Sequence, residues 1–177
     1  MIYELFSSTL TKVAICGVAM LLTFTTTAQP QPGYASNPKF FCAQSKGVPV
    51  TFVRREDGRK IPMIRWVYSY SSLTPLQRCQ QVSRRFQRSY DNGTLKTIIT
   101  GTLNKQSVVC AVVSTNDVCT SSTVLFTLKP GSNAKLVVQS LFDRRALASG
   151  QIQNQSNDDT QIYIDFDTYL NNIQPER

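Results

Sequence analysis

The chain has 177 residues, a formal net charge of +8, 41% hydrophobic and 17% charged residues, and no histidine. That composition is apolar enough for a folded core and argues against extended disorder. The absence of histidine excludes Ser-His-Asp and Cys-His catalysis and nearly every catalytic zinc centre, leaving carboxylates, lysine or tyrosine for acid–base work.

The N-terminus reads as a signal peptide over residues 1–28. Lys12 precedes an apolar run from Val13 to Leu22, and small residues occupy both cleavage-recognition positions, Thr26 and Ala28. The run is too short to favour a bilayer-spanning helix. Residues 29–39, rich in Pro, Gln, Gly, Ser and Asn, read as a flexible leader, and residues 40–174 as a single α+β domain.

Cys16 lies in the apolar run and is lost on cleavage. Cys42, Cys79, Cys110 and Cys119 remain, an even count that in an exported chain implies disulfides. Four cysteines allow three pairings. Cys110 and Cys119 flank the turn signal Ser114-Thr115-Asn116-Asp117 and could close a hairpin; Cys42 and Cys79 would then tie the N-terminal strand to a helix. That pairing is the expected one, with connectivity still open. A four-thiolate zinc site is disfavoured because no pair has C-x2-4-C spacing.

In chain order, Phe40-Phe41-Cys42 and Val48 to Val53 read as strands, followed by a charged turn over 54–60. Ile61 to Tyr70 alternates, with Ile64, Trp66 and Tyr68 on one face, and predicts a half-buried strand hairpinned to its predecessor. Trp66 and Tyr68 are expected in the core rather than as a sugar-stacking platform.

Thr74-Pro75 starts a helix and Asp91-Asn92-Gly93 stops it. Between them Leu76, Cys79, Val82, Phe86 and Tyr90 form one apolar stripe. Thr94 to Leu103 and Ser107 to Val113 read as a hairpin around Asn104-Lys105-Gln106, and Val124 to Leu128 as a further strand. A second amphipathic helix is predicted from Ala134 to about Ala148, with Ala134, Val137, Val138, Leu141 and Ala148 as its stripe. A polar loop over 151–160, a strand over 162–166 and a short helix over 168–173 complete the reading. The expected fold is an α+β, disulfide-stabilised antiparallel sheet with two main helices packed on one face, its strand order unspecified.

Opposite the first helix's apolar stripe lie Arg78, Arg84, Arg85 and Arg88, and no acidic residue occurs between Thr74 and Tyr90. The planar guanidinium suits carboxylate, phosphate and sulfate groups. The functional reading is an anionic partner: a membrane surface, or an envelope protein or glycan. The competing reading is a solvated face whose arginines pair with Asp143, Asp158 or another distant acid in the fold. Nucleic acid is not expected, since export opposes it and no helix-turn-helix or aromatic–basic RNA motif is present.

Asp165 and Asp167 alternate across Phe166, so on a strand they would share a face and could serve a hydrolase or bind a metal. Asp167 could equally cap the following helix. Asn154, Asn157, Asp158 and Asp159 resemble a calcium loop without EF-hand order. No Gly-rich phosphate loop or G-x-S-x-G element occurs. The chain is therefore expected to need no cofactor or metal and to be a binding or structural protein; a carboxylate hydrolase or a secreted inhibitor or effector of a protein partner are the alternatives.

The segments Phe41-Cys42, Ile64-Arg65-Trp66, Gln77 to Gln87, Asp91-Asn92-Gly93-Thr94-Leu95, Val109-Cys110, Leu125 to Gly131 and Ile162-Tyr163-Ile164-Asp165 resemble the cyanobacterial circadian oscillating protein family. Arg78-Cys79 to Phe86-Gln87 is the most specific part. The resemblance covers residues 40–170. It implies a cyanobacterial protein whose expression follows the daily cycle, peripheral association with the cytoplasmic membrane, and no enzyme activity or catalytic residues.

Overall fold

A computed structural model describes residues 37–142 and 162–173. The chain runs β1 (Phe40–Ser45), β2 (Val48–Arg54), β3 (Lys60–Arg65), α1 (Pro75–Asp91), β4 (Thr97–Leu103), β5 (Gln106–Val112), β6 (Val124–Thr127), α2 (Ala134–Leu141), β7 (Tyr163–Asp165) and α3 (Phe166–Asn172). The fold is α+β and disulfide-stabilised. Its antiparallel strands divide between two sheets, β1-β2-β3 and β6-β5-β4-β7.

Local chemistry accounts for the hairpins. Lys46 and Gly47 join β1 to β2, and Asn104 and Lys105 join β4 to β5, with both residues of each turn at positive φ. Two-residue turns of this kind match the right-handed twist of the strands they connect. β2 meets β3 across the charged turn, with a register shift at Thr51/Phe52.

β3 ends at Arg65, short of the strand expected to reach Tyr70. Trp66 N–H still donates to the Pro49 carbonyl at 2.9 Å, but β2 begins at Val48, so the ladder has no further partners. Trp66 is buried as expected; Tyr68 is 77% exposed rather than part of the core. Tyr70 and Leu73 then exchange two main-chain hydrogen bonds of 3.1 Å around Ser71, which is at positive φ.

Helix α1 packs on β1 and β2 of one sheet and on β6 of the other. Phe40 of β1, Phe86 of α1 and Phe166 of α3 meet with centroids 5.5 to 6.1 Å apart, all three buried. Trp66 stands edge-on to Phe126 of β6 at 5.6 Å. One apolar cluster therefore spans both sheets and the three described helices.

Both expected disulfides are present. Cys42–Cys79 fastens β1 to α1, and Cys110–Cys119 fastens β5 to the loop that follows it. That loop lies over the other face of the four-stranded sheet, where Ile99, Val108, Cys110 and Val112 form a second buried group. It crosses at Gly101: a Cβ there would meet the Cys119 Sγ at 3.0 Å, so the close approach depends on glycine.

α2 is described from Ala134 to Leu141, with the Asn133 side chain accepting Leu136 N–H. The helix ends at Leu141, short of the expected Ala148: Phe142 takes extended backbone and donates its N–H to the Val138 carbonyl. Asn154, Asn157, Asp158 and Asp159 lie outside the described residues. Asp165 accepts Thr168 N–H at 2.7 Å and caps α3, which therefore starts at Phe166, earlier than expected.

Candidate functional site: the polar side of helix α1

The helix is set by its own sequence. Thr74 accepts Gln77 N–H while the Gln77 side chain accepts Thr74 N–H at 2.8 Å, and Pro75 sits in the first turn. This reciprocal box satisfies two otherwise unpaired donors. Gly93 takes the positive φ that follows the last turn.

The buried side is displaced from the expected stripe. Cys79, Val82 and Phe86 are buried, but Leu76 and Tyr90 at its ends are 42% and 45% exposed. Ser83, Gln87 and Ser89 are buried instead. Cys79, Ser83 and Gln87 succeed one another at four-residue intervals, one line along the helix. Each polar member of that line has a partner. Ser83 Oγ donates to Thr51 Oγ1 at 3.1 Å, and the same oxygen accepts Trp66 Nε1–H at 2.9 Å. Gln87 accepts Phe40 N–H and donates to Asp91. Apolar periodicity alone cannot find such positions, because their partners come from another element.

The four arginines fall into two pairs. Arg78 and Arg85 are half-buried. Arg78 Nη1 donates to the Tyr68 carbonyl at 3.2 Å, and its guanidinium lies 4.7 Å from the Trp66 ring centroid and 5.6 Å from that of Tyr70. Arg85 Nη1 donates to the Leu125 carbonyl of β6 at 3.0 Å. Burial lowers the pKa of both, and the neighbouring Arg88 lowers that of Arg85 further. Carbonyls and ring faces stabilise these cations without neutralising them.

Arg84 and Arg88 are exposed, one turn apart, and border a shallow hollow of about 350 Å³ with Gln87, Asp91 and Asn92. Asp91 is the carboxylate there; its Oδ1 accepts Gln87 Nε2–H at 2.7 Å. Among the described residues, neither arginine forms an ion pair; the described ion pairs are Arg59–Asp57 and Lys96–Asp167. Asp143 and Asp158, the expected alternative partners, lie outside the described residues.

Asp165 and Asp167 do not share a strand face. Asp165 ends β7 and is committed to its capping bond, while Asp167 belongs to the first turn of α3 and pairs with Lys96 at 3.4 Å. The hydrolase geometry expected from their alternation is absent because the strand stops between them. Among the described residues no cluster of three or more potential metal ligands occurs, and no helix is long and apolar enough to cross a membrane. The two disulfides point to an oxidising, non-cytoplasmic location.

The family model for circadian oscillating protein COP23 matches residues 39–171. The chain belongs to that family. The match runs from before β1 to within α3, so α1 with its arginines, both disulfides and the loop between β3 and α1 are parts of a COP23 domain. No curated protein and no solved structure matches the chain.

Proposed function

We propose that this COP23 protein is an exported, non-enzymatic binding protein that associates peripherally with an anionic membrane surface through the exposed side of α1. The observation that carries the reading is the Arg84–Arg88 pair. The two are exposed and one turn apart, on a helix without an acid from Thr74 to Tyr90, and have no described carboxylate as ion-pair partner. In a chain of net charge +8 such a pair favours an anionic surface. The apolar run Val13 to Leu22, the small residues Thr26 and Ala28, and the two disulfides support export to the periplasm or the outer face of the cytoplasmic membrane. The family resemblance implies the same peripheral association and a cyanobacterial source.

The test is sedimentation of the purified protein with phosphatidylglycerol and with phosphatidylcholine vesicles at low and high salt. Binding is expected to phosphatidylglycerol alone and to fall at high salt. A basic residue near an anionic surface contributes about 1 kcal/mol, so the double variant Arg84→Gln/Arg88→Gln is expected to bind about 30-fold more weakly. Equal binding to both vesicle types, or full retention by the double variant, would remove the reading. Binding to neither would assign the interaction to an envelope protein or glycan.

A further inference from the structure

The loop between β3 and α1 builds a second feature, separate from Arg84 and Arg88. After Trp66 the chain leaves the sheet, exposes Val67 and Tyr68, and folds back through the Tyr70–Leu73 turn to the start of α1. A groove of about 890 Å³ lies against this loop. Its lining includes Tyr68, Tyr70 and Arg78, from the loop and the start of α1, and Leu128, Val137 and Leu141, from the end of β6 and from α2. Arg78 also borders an adjoining hollow of about 370 Å³, together with Arg85. Volumes of this order suit a small organic ligand.

Arg65, Arg78 and Lys129 line the groove, and among the described residues no aspartate or glutamate lines either cavity. The one hydrogen bond described for the Arg78 guanidinium goes to a neutral carbonyl, and its faces meet Trp66 and Tyr70 rings. A half-buried guanidinium with no counter-ion among the described residues retains donors suited to a planar anion. Desolvation lowers the proton affinity of Arg78, a cost that a bound anion would relieve. Tyrosine rings and aliphatic side chains in one lining suit a flat apolar body.

We propose that this groove binds a small organic anion, its carboxylate, sulfonate or phosphate end on Arg78 and its planar apolar body against the aromatic and aliphatic lining that includes Tyr68, Leu128, Val137 and Leu141. This assignment does not depend on Arg84 or Arg88, so it survives or fails independently of membrane binding.

The probes are 1-anilinonaphthalene-8-sulfonate and N-phenyl-1-naphthylamine, which share an aromatic body and differ in the sulfonate. The folded protein is expected to bind the sulfonate with one-to-one stoichiometry at least about tenfold more tightly than the neutral probe, the scale of one charged hydrogen bond. Arg78→Gln should erase that preference with the melting transition retained. Tyr68→Ala should weaken both probes. Ser140→Trp, at an exposed position on the groove wall, should block both without touching Arg78 or the core; it serves as the test if Arg78→Gln does not fold. Equal affinity for the two probes, no binding of either, or sulfonate binding unchanged by Arg78→Gln or Ser140→Trp would overturn the proposal.

Discussion

The side-chain oxygen of Gln87, in α1, accepts the main-chain N–H of Phe40, in β1, at 2.8 Å in a buried setting. Phe40 opens an edge strand, and this bond satisfies a donor that would otherwise be buried alone. Gln87→Leu keeps the side chain's bulk and removes the acceptor. It is expected to cost about 1–3 kcal/mol in chemical denaturation, the penalty for an unsatisfied buried group. A variant as stable as the parent would show that the bond is dispensable.

The two disulfides should differ in effect. Cys42–Cys79 closes a 37-residue separation and Cys110–Cys119 a separation of 9. Chain-entropy scaling gives about 4 kcal/mol for the longer loop and about 2.5 for the shorter. Paired Cys→Ser variants, compared by denaturant midpoint, should therefore rank with Cys42/Cys79 as the more damaging. The reverse order would mean that the short loop's packing over Gly101 outweighs its loop length. Peptide mapping of the unreduced protein should recover these two linked pairs and no other.

Gly101→Ala tests that packing directly. The added Cβ would meet Cys119 Sγ at 3.0 Å, and that sulfur is held by its bond to Cys110. A loss of about 1–3 kcal/mol is expected, as for overpacked cores. Combining it with Cys119→Ser should recover much of the loss, since the sulfur is then replaced by a smaller hydroxyl that is not tied to Cys110. If the two losses simply add, the contact does not matter.

Binding that depends on the α1 arginines should be flat between about pH 6 and 9. Burial lowers the pKa of Arg78 and Arg85, which favours the neutral form, but guanidinium remains charged throughout this range. No histidine exists to titrate there. A vesicle-sedimentation or probe titration with a midpoint inside the range would assign the interaction to other groups.

Helix α1 was legible in the sequence because its signals are local. Thr74, Pro75, Gln77 and Gly93 act on their own neighbours. The sides of the helix were legible only in part: Cys79, Val82 and Phe86 are buried as expected, whereas Leu76 and Tyr90 are exposed and Ser83 and Gln87 are buried by partners in other elements. What the arginines touch was not legible: the Tyr68 and Leu125 carbonyls come from other elements, so helical spacing places Arg78 and Arg85 beside Arg84 and Arg88 without separating their roles. The end of β3 was hidden for a related reason. Alternation continues through Tyr68, and only the exhausted ladder of β2 stops the strand. At Asp165 two local rules compete, and the capping bond to Thr168 N–H prevails over alternation.

Arg55, just after β2, donates from Nη2 to the carbonyls of Leu170, Asn171 and Ile173 at 3.0 to 3.2 Å. Those residues belong to or follow α3, the last described element, which also brings Phe166 and Tyr169 into the core. β7, just before it, completes the four-stranded sheet. A chain emerging N-terminus first, from a ribosome or through a pore, therefore holds β1 to α1 long before it holds the pieces that close them. Until residue 173 is out, the shared core lacks its Phe166 and Tyr169 side and Arg55 has no carbonyls to clamp. The domain closes only with its last described element, and a chain truncated before Phe166 would leave an incomplete core rather than a smaller domain.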